Sequence, residues 1–148
     1  MPNFMKEEKD IKFRHSVPVQ IRFNDLDGLG HVNNSVYLSF YDLGKSDYFR
    51  TVRNQRLMVD KIDVVIAHID VDFHSPVFLE DEIEVRTKVE TIGNKSFKLL
   101  QQIVEKNSGE IKCSCRTVMV GFDQKTHQAL PISKEWREAF SQYEQREF

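Results

Sequence analysis

The sequence contains few of the features that mark a secreted, membrane-spanning or nucleic-acid-binding protein. It has only two cysteines in 148 residues, too few for a disulfide framework, and no apolar run approaches the ~18 residues that a membrane-spanning helix needs. Lys and Arg number 21 against 23 Asp and Glu, for a net charge of −2. Without excess positive charge to neutralise phosphates or an anionic surface, neither nucleic acid nor a membrane is expected as a partner.

The N-terminus and the cysteines both indicate a reducing environment. Charged residues at positions 6–10 occupy the place where a secretory signal has its apolar stretch, so we expect a cytoplasmic protein. Cys113 and Cys115 lie two apart in a strand-like segment and therefore point to the same face. No CxxC spacing or second Cys/His cluster accompanies them, so we expect buried, reduced thiols without a chemical role.

The length and the hydrophobic pattern predict a single domain built around one helix. A chain of 148 residues can form a core without a disulfide or a metal, and we expect one domain over 1–148. From Ser35 to about Arg50 the apolar residues cover most of the helix circumference, which is typical of a buried helix. Gly44 within it costs roughly 1 kcal/mol relative to Ala, which indicates close approach to a sheet curled around the helix.

Alternating apolar and polar residues predict five strands, and the last two are joined by a polar hairpin connection at 106–109. The strands are expected at residues 17–23, 63–73, 82–92, 96–105 and 110–122. Ser133 can cap a final helix whose stripe of Trp136, Phe140 and Tyr143 lies outside. This order predicts an α+β fold in which four consecutive strands form an antiparallel meander around the helix. Open sheet edges are usually paired, so we expect a dimer that extends the sheet.

One segment, residues 25–34 (DLDGLGHVNN), combines chemically useful side chains with a predicted helix start. The unpaired N–H groups of a helix N-terminus suit an oxyanion that forms on an acyl carbonyl. Asp27 could act as a general base or a nucleophile, with His31 orienting or sharing protons. The same residues are also ordinary caps and turn residues, and the loop lacks the spacing of a calcium site. We expect no metal and no cofactor.

The run from Arg22 to Leu38 resembles the signature of hotdog-fold acyl-CoA thioesterases of the 4-hydroxybenzoyl-CoA thioesterase type. Its HVNN element, residues 31–34, is also similar to acyl-ACP thioesterases. Segments 69–77, 81–85 and 92–97 fall where that family has its second strand and a later hairpin, so the resemblance covers roughly residues 17–122. It implies a hotdog domain and hydrolysis of an acyl-CoA thioester by a homodimer or homotetramer.

Carried over by position, the resemblance assigns three catalytic residues. Asp27 matches the catalytic carboxylate, and Asn34 takes the helix-start position whose backbone N–H polarises the thioester carbonyl. His31 matches the histidine of the acyl-ACP type, but Leu29 stands where that type has a catalytic asparagine. Asp27 and Asn34 therefore favour the acyl-CoA mechanism.

Further residues are expected to contact the substrate or to shape its pocket. We expect substrate binding by Asn33, Tyr37, Lys95 and Ser96; Lys95 and Ser96 could meet a coenzyme A phosphate or form a solvated turn. Side chains such as Tyr37, Tyr41, Val65 and Phe73 are expected to set the acyl specificity.

The alternating segment 68–74 contains two histidines that we expect to be solvated or interfacial rather than catalytic. His68 and His74 alternate there with Asp70 and Asp72 on one strand face. Three other functions remain open at this point: a noncatalytic acyl-thioester binding protein, an acyl-ACP thioesterase, and an enoyl-thioester hydratase that uses Asp27 and His31.

Overall fold

The fold is a six-stranded antiparallel sheet with one face packed against a long helix. A computed structural model of the protein describes residues 8–54 and 63–148. The helices and strands are β1 (His15–Val19), α1 (Val36–Arg53), β2 (Val64–Phe73), β3 (Ile83–Ile92), β4 (Ser96–Glu105), β5 (Ile111–Asp123), β6 (Gln128–Leu130) and α2 (Lys134–Glu144). This arrangement confirms the expected α+β class. No helix in the described ranges is long and apolar enough to cross a membrane.

The strand order is β1-β3-β4-β5-β2, and β6 pairs with the end of β5. Only β3, β4 and β5 form a meander of consecutive strands. The expectation that β2 lies beside β3 is wrong, because β2 pairs with β5 from Val64↔Gly121 to Phe73↔Cys113. Alternation of apolar residues identifies a strand and its buried face, but it does not specify the neighbouring strand.

The first strand is shorter than its sequence pattern predicts. It ends at Val19, and Phe23 opens a short 3-10 helix over Phe23–Asp25 with 78% of its surface exposed. The carboxylate of Asp25 accepts a hydrogen bond from the Arg22 backbone N–H at 2.8 Å, and this local turn competes with the extended backbone. The prediction of a strand that reaches Phe23 is therefore wrong at its C-terminal end.

Helix α1 buries one face rather than its whole circumference. Tyr37, Tyr41 and Tyr48 are almost fully buried, but Leu38 and Leu43 stay 42% and 48% exposed. Burial on all sides is thus not achieved within one chain. The expected close approach at Gly44 is confirmed, because a methyl group added there would overlap the Val85 side chain on β3.

The core forms two clusters along α1. The cluster around the first half of the helix includes Tyr37, Val77, Val85 and both cysteines; the cluster around the second half includes Tyr48, Phe97, Trp136 and Phe140.

Helix α2 closes the far end of α1. The Ser133 hydroxyl accepts a hydrogen bond from the Trp136 backbone N–H at 3.2 Å, which confirms Ser133 as its N-cap. Trp136 and Phe140 are buried, so this helix contributes its apolar stripe to the second cluster. The expected outside position of the Trp136, Phe140 and Tyr143 stripe is therefore wrong, because these side chains pack against the second core cluster.

The two cysteines behave as the sequence predicts. Both are free and buried, and burial raises the pKa of Cys113 to about 12 and also raises that of Cys115. Both thiols are therefore protonated at neutral pH and are poor nucleophiles.

Candidate active site

Residues 26–32 form a tight loop between the 3-10 helix and α1. Leu26 and Val32 close its base as an isolated antiparallel bridge. Within the loop, the Asp27 N–H donates to the His31 carbonyl at 2.8 Å, and the Gly30 N–H donates to the Asp27 carbonyl at 3.1 Å. Gly30 has a φ of +80°, which glycine adopts without a steric penalty. The loop thereby holds Asp27 and His31 opposite each other.

Two hydrogen bonds fix the base of this loop. The Val32 N–H donates to the Val77 carbonyl and the Asn33 N–H to the Asp25 carbonyl, both at 2.8 Å. Burial disfavours the charge of Asp25, but hydrogen bonds from the backbone and side chain of Arg22 outweigh burial and hold the pKa of that carboxyl below its usual value. The Asp25 carboxylate thus serves to hold the local turn at Arg22.

A cavity of about 330 Å³ opens beside the loop. Its lining consists of Asp27, Leu29, His31, Val32, Asn34, Tyr37, Phe73, His74, Ser75 and Pro76. The structure therefore brings together all three predicted catalytic residues and Tyr37. The volume lies at the lower end of the range for small-molecule sites.

One oxygen of the Asp27 carboxylate is used to hold the loop. Its Oδ1 accepts a hydrogen bond from the Leu29 N–H at 2.8 Å, which fixes the side-chain orientation. Among the described residues, Oδ2 has no hydrogen-bond partner. A half-buried carboxylate with one fixed and one available oxygen is suited to accept a proton from water or to attack a carbonyl.

The start of α1 supplies N–H groups beside the same cavity. The Asn33 side chain accepts hydrogen bonds from the backbone N–H of Ser35 at 3.0 Å and from its hydroxyl at 2.9 Å, so Asn33 shapes the turn into the helix and does not line the cavity. Asn34 does line it, and its backbone N–H has no acceptor within residues 8–54 and 63–148. The partial positive charge of the helix N-terminus adds to this donor.

Two aromatic contacts define the walls. The rings of His31 and Phe78 meet edge to face with centroids 5.2 Å apart, and those of Tyr37 and Phe73 meet in the same way at 5.0 Å. Burial, with smaller contributions that include the nearby Asp27 carboxylate, raises the pKa of Tyr37. Its hydroxyl group therefore stays neutral over the physiological range.

The remaining predicted contacts lie elsewhere. Lys95 and Ser96 belong to the β3–β4 hairpin, where the Gly93 N–H donates to the Ser96 carbonyl at 2.7 Å and the Lys95 carbonyl accepts from the Gly121 N–H. The adjacent Phe97 packs in the second core cluster, so within one chain this hairpin lies at the opposite end of α1 from Asp27. Tyr41 and Val65 also lie outside the cavity lining, whereas Phe73 belongs to it.

The wall formed by residues 74–76 was not predicted from the sequence. His68 is 60% exposed beside Asp70, as expected, but the solvated position expected for His74 is wrong. The His74 side chain is only 6% exposed, and its Nε2 lies 2.8 Å from the Ser114 hydroxyl and 3.2 Å from the Glu8 carboxylate. Pro76 lies shortly after the end of β2 and was the sequence signal that the chain leaves the strand here, because proline tends to end a strand.

The residues that converge on the cavity are suited to acid–base and oxyanion chemistry. In the described part of the chain, no group of three or more His, Cys, Asp or Glu side chains is placed to hold a metal ion.

Comparison with known proteins identifies the family of the chain. The profile of the thioesterase-like superfamily matches residues 21–140. The long-chain acyl-CoA thioesterase FadM of Escherichia coli K12 is 27% identical over 125 residues, which is 84% of this chain and 95% of FadM. The acyl-CoA thioester hydrolase YbgC of E. coli O6:H1 is 27% identical over 89 residues, which is 59% of this chain and 66% of YbgC. A thioesterase of Thermus thermophilus, solved with coenzyme A and zinc, superposes with a TM-score of 0.82 at 30% identity, over 92% of this chain and 98% of that one. The protein therefore belongs to the thioesterase-like superfamily.

Proposed function

We propose that this protein hydrolyses an acyl-CoA thioester to a free acid and coenzyme A. The observation that carries the proposal is that Asp27 and Asn34, which lies two residues before the first residue of helix α1, line one cavity. A base or nucleophile on one side of a thioester carbonyl and an N–H donor on the other are the two groups that acyl transfer to water requires.

In the proposed reaction, the thioester carbonyl oxygen lies near the Asn34 N–H and the positive end of the helix dipole. Asp27 Oδ2 either removes a proton from water that adds to the carbonyl carbon, or attacks that carbon itself. In the second route the C–S bond breaks as the thiolate leaves, and water then hydrolyses the resulting mixed anhydride. Negative charge that develops on the carbonyl oxygen is stabilised by the N–H group. In the first route the C–S bond breaks after water has added to the carbonyl carbon. In both routes coenzyme A leaves as the thiolate and takes up a proton, which comes from the water that Asp27 activates in the first route and from solvent in the second.

The acyl group is expected to bind against the apolar wall of the cavity, where Leu29, Tyr37 and Phe73 contribute side chains. The names of FadM and YbgC specify acyl-CoA substrates, which favours coenzyme A over a protein carrier here. Lys95 and Ser96 could reach a coenzyme A phosphate only if another copy of the chain brings that hairpin close to the cavity.

Release of free thiol from acetyl-, medium-chain, long-chain and aromatic acyl-CoAs tests the proposal, with wild type and Asp27→Asn measured together. Asp27→Asn keeps the oxygen that holds the loop but removes the base, so we expect turnover to fall about 10²–10⁴-fold with substrate binding retained. Asp10→Asn, which removes an exposed carboxylate outside the cavity lining, is the matched control and should leave turnover unchanged.

The alternatives give different outcomes in the same experiment. Saturable acyl-CoA binding without thiol release would favour a noncatalytic binding protein, or an enzyme that acts on acyl-ACP if an acyl-ACP substrate is then cleaved. Hydration of an enoyl thioester with the C–S bond intact would favour a hydratase. An Asp27→Asn variant with wild-type turnover would remove Asp27 from the mechanism.

The proposed assembly is a homodimer formed through the β2 edge, and a homotetramer would be a further association of such dimers. Among the described strands, β2 pairs only with β5, and it offers a ten-residue edge with the exposed side chains of Ile66 and Phe73. The other edge strand, β1, has five residues and contains Pro18, which suits it less to pairing. Light scattering at micromolar concentration should detect at least a dimer, and a strictly monomeric species would contradict this assembly.

A further inference from the structure

The Lys112 side chain lies almost completely buried on β5, only 7% exposed. Taking an ammonium group out of water costs several kcal/mol unless charges and hydrogen-bond acceptors surround it. A buried lysine therefore indicates that neighbouring carboxylates and hydrogen-bond acceptors stabilise its ammonium group. The catalytic scheme proposed above does not use this residue.

The partners of Lys112 belong to the wall of the cavity and the turn that follows it. Its Nζ donates to the Pro76 carbonyl at 3.1 Å and lies 3.2 Å from the Glu110 carboxylate. Its own carbonyl accepts the backbone N–H groups of His74 at 2.9 Å and Ser75 at 3.1 Å. The main chain of Lys112 thus holds His74 and Ser75, and its side chain holds Pro76.

The neighbouring Glu110 strengthens the same attachment. A hydrogen bond from Ser75 and, to a smaller extent, the interaction with Lys112 hold the pKa of the Glu110 carboxyl below its usual value. Its negative charge therefore persists at neutral pH beside the lysine.

A second series of contacts connects Lys112 with His31. The Lys112 Nζ lies 3.6 Å from the Asp81 carboxylate. That carboxylate accepts a hydrogen bond from the Phe78 N–H at 2.9 Å, which closes the turn over residues 78–81. The turn presents the Phe78 ring to His31 at 5.2 Å and to the lysine itself at 5.9 Å.

We propose that Lys112 is a positioning residue of the active site, which fixes the cavity wall at Ser75–Pro76 and, through Asp81 and Phe78, the orientation of the His31 ring. The inference rests on the proposed function only for its effect on catalysis, since the orientation of His31 can be measured without substrate. Lys112 does not touch the reacting atoms. Its contribution is to keep two sides of the cavity at a fixed separation, to which catalytic rates are sensitive.

The test compares three substitutions. Lys112→Met keeps the length and apolar stem but removes the ammonium group, and Lys112→Arg keeps the charge and the donors. Lys45→Met is the matched control, because Lys45 is also a buried lysine, has a carboxylate partner in Asp42 at 3.3 Å, and lies outside the cavity lining. Circular dichroism establishes that each variant is folded.

Two readouts are used on the full-length protein. Kinetics on the best acyl-CoA should show kcat about tenfold lower in Lys112→Met, with KM changed by less than about threefold, and recovery of most of kcat in Lys112→Arg. NMR of the His31 ring protons reports the Phe78 contact directly. The Lys112→Met signal should move toward its position in Phe78→Leu, while Lys45→Met leaves both readouts at their wild-type values.

The two proposals fail in distinguishable ways. If wild type releases no thiol but the His31 signal moves as expected, the positioning role stands and the proposed reaction is wrong. If wild type is active and Lys112→Met changes neither kcat nor the His31 signal, or if Lys45→Met lowers kcat equally, the positioning role is overturned. Should Lys112→Met not fold, Asp81→Ala removes the carboxylate that links the Lys112 Nζ to the Phe78 N–H, and an unmoved His31 signal in that variant overturns the proposal.

Discussion

Helix propensity predicts that Gly44→Ala stabilises the protein, whereas the contact between Gly44 and β3 predicts the opposite. In most exposed helix interiors, Gly→Ala stabilises by roughly 1 kcal/mol. At Gly44 the added methyl group would overlap Val85 Cγ1 and would lie 3.1 Å from Gln101 Nε2. We therefore expect Gly44→Ala to destabilise the protein.

The magnitude follows from how little the surroundings can move. Val85 is fully buried, and its strand is paired with β1 on one side and β4 on the other. Overpacking a core of this kind costs about 1–3 kcal/mol, and we take the upper value because a β-branched side chain on a doubly paired strand has few alternative positions. After subtraction of the propensity gain, the free energy of unfolding should fall by about 2 kcal/mol, which lowers Tm by roughly 4–8 °C.

Urea unfolding of Gly44→Ala, Val85→Ala and the double variant tests the reasoning at one fixed protein concentration. Val85→Ala removes the atoms that the new methyl group meets, so the double variant should be more stable than the sum of the two single effects predicts, by at least about 0.5–1 kcal/mol. A Gly44→Ala variant more stable than wild type would refute the close-packing argument, and so would strict additivity in the double variant.

Two further predictions concern carboxyl groups with shifted pKa values. Burial raises the pKa of Glu144, which accepts a hydrogen bond from the Tyr48 hydroxyl. The protonated Glu144 side chain therefore stabilises the folded protein below about pH 4.3, and this stabilisation is lost as the pH rises through the folded-state pKa. Glu144→Gln should therefore be more stable than wild type at pH 7, and urea unfolding at pH 4 should show a smaller difference. Hydrogen bonds from Ser108 lower the pKa of Glu105 to about 2, so its contribution is present at neutral pH and is lost as the pH falls from about 4 toward 2. Glu105→Gln should be less stable than wild type at pH 7; an unchanged unfolding midpoint there would count against the hairpin contact.

Several features of the fold were predictable because they depend on local patterns. The period of the apolar residues identified α1 and strands β1 to β5 but not β6, the glycine within the helix indicated a close contact with the sheet, and Ser133 marked the start of α2. Each of these signals comes from neighbouring residues whose geometry is set by the backbone itself. The cavity loop around Asp27 was identified in the same way, from a strand, a glycine-containing turn and a helix start in sequence.

Other features could not be predicted because they depend on which distant segments meet. The position of β2 beside β5 joins residues 64–73 to 113–121, and nothing in either strand specifies the other. Lys112 occurs in an alternating pattern in which a lysine is normally solvent-facing. It is buried only because the segment that follows β2 lies over it, so its role could be recognised only in three dimensions.

The pairing of β2 with β5 also has a consequence for how the protein folds. The hairpins β3–β4 and β4–β5 close over short connections, whereas β2 must find a strand that follows it by about 45 residues, and such distant contacts cost more chain entropy and form more slowly. The wall at Ser75–Pro76 continues directly from β2 and is fastened to Lys112 on β5. The active site is therefore assembled by a pairing between strands that lie far apart in the sequence, and a folding intermediate that contains only the meander has no catalytic cavity.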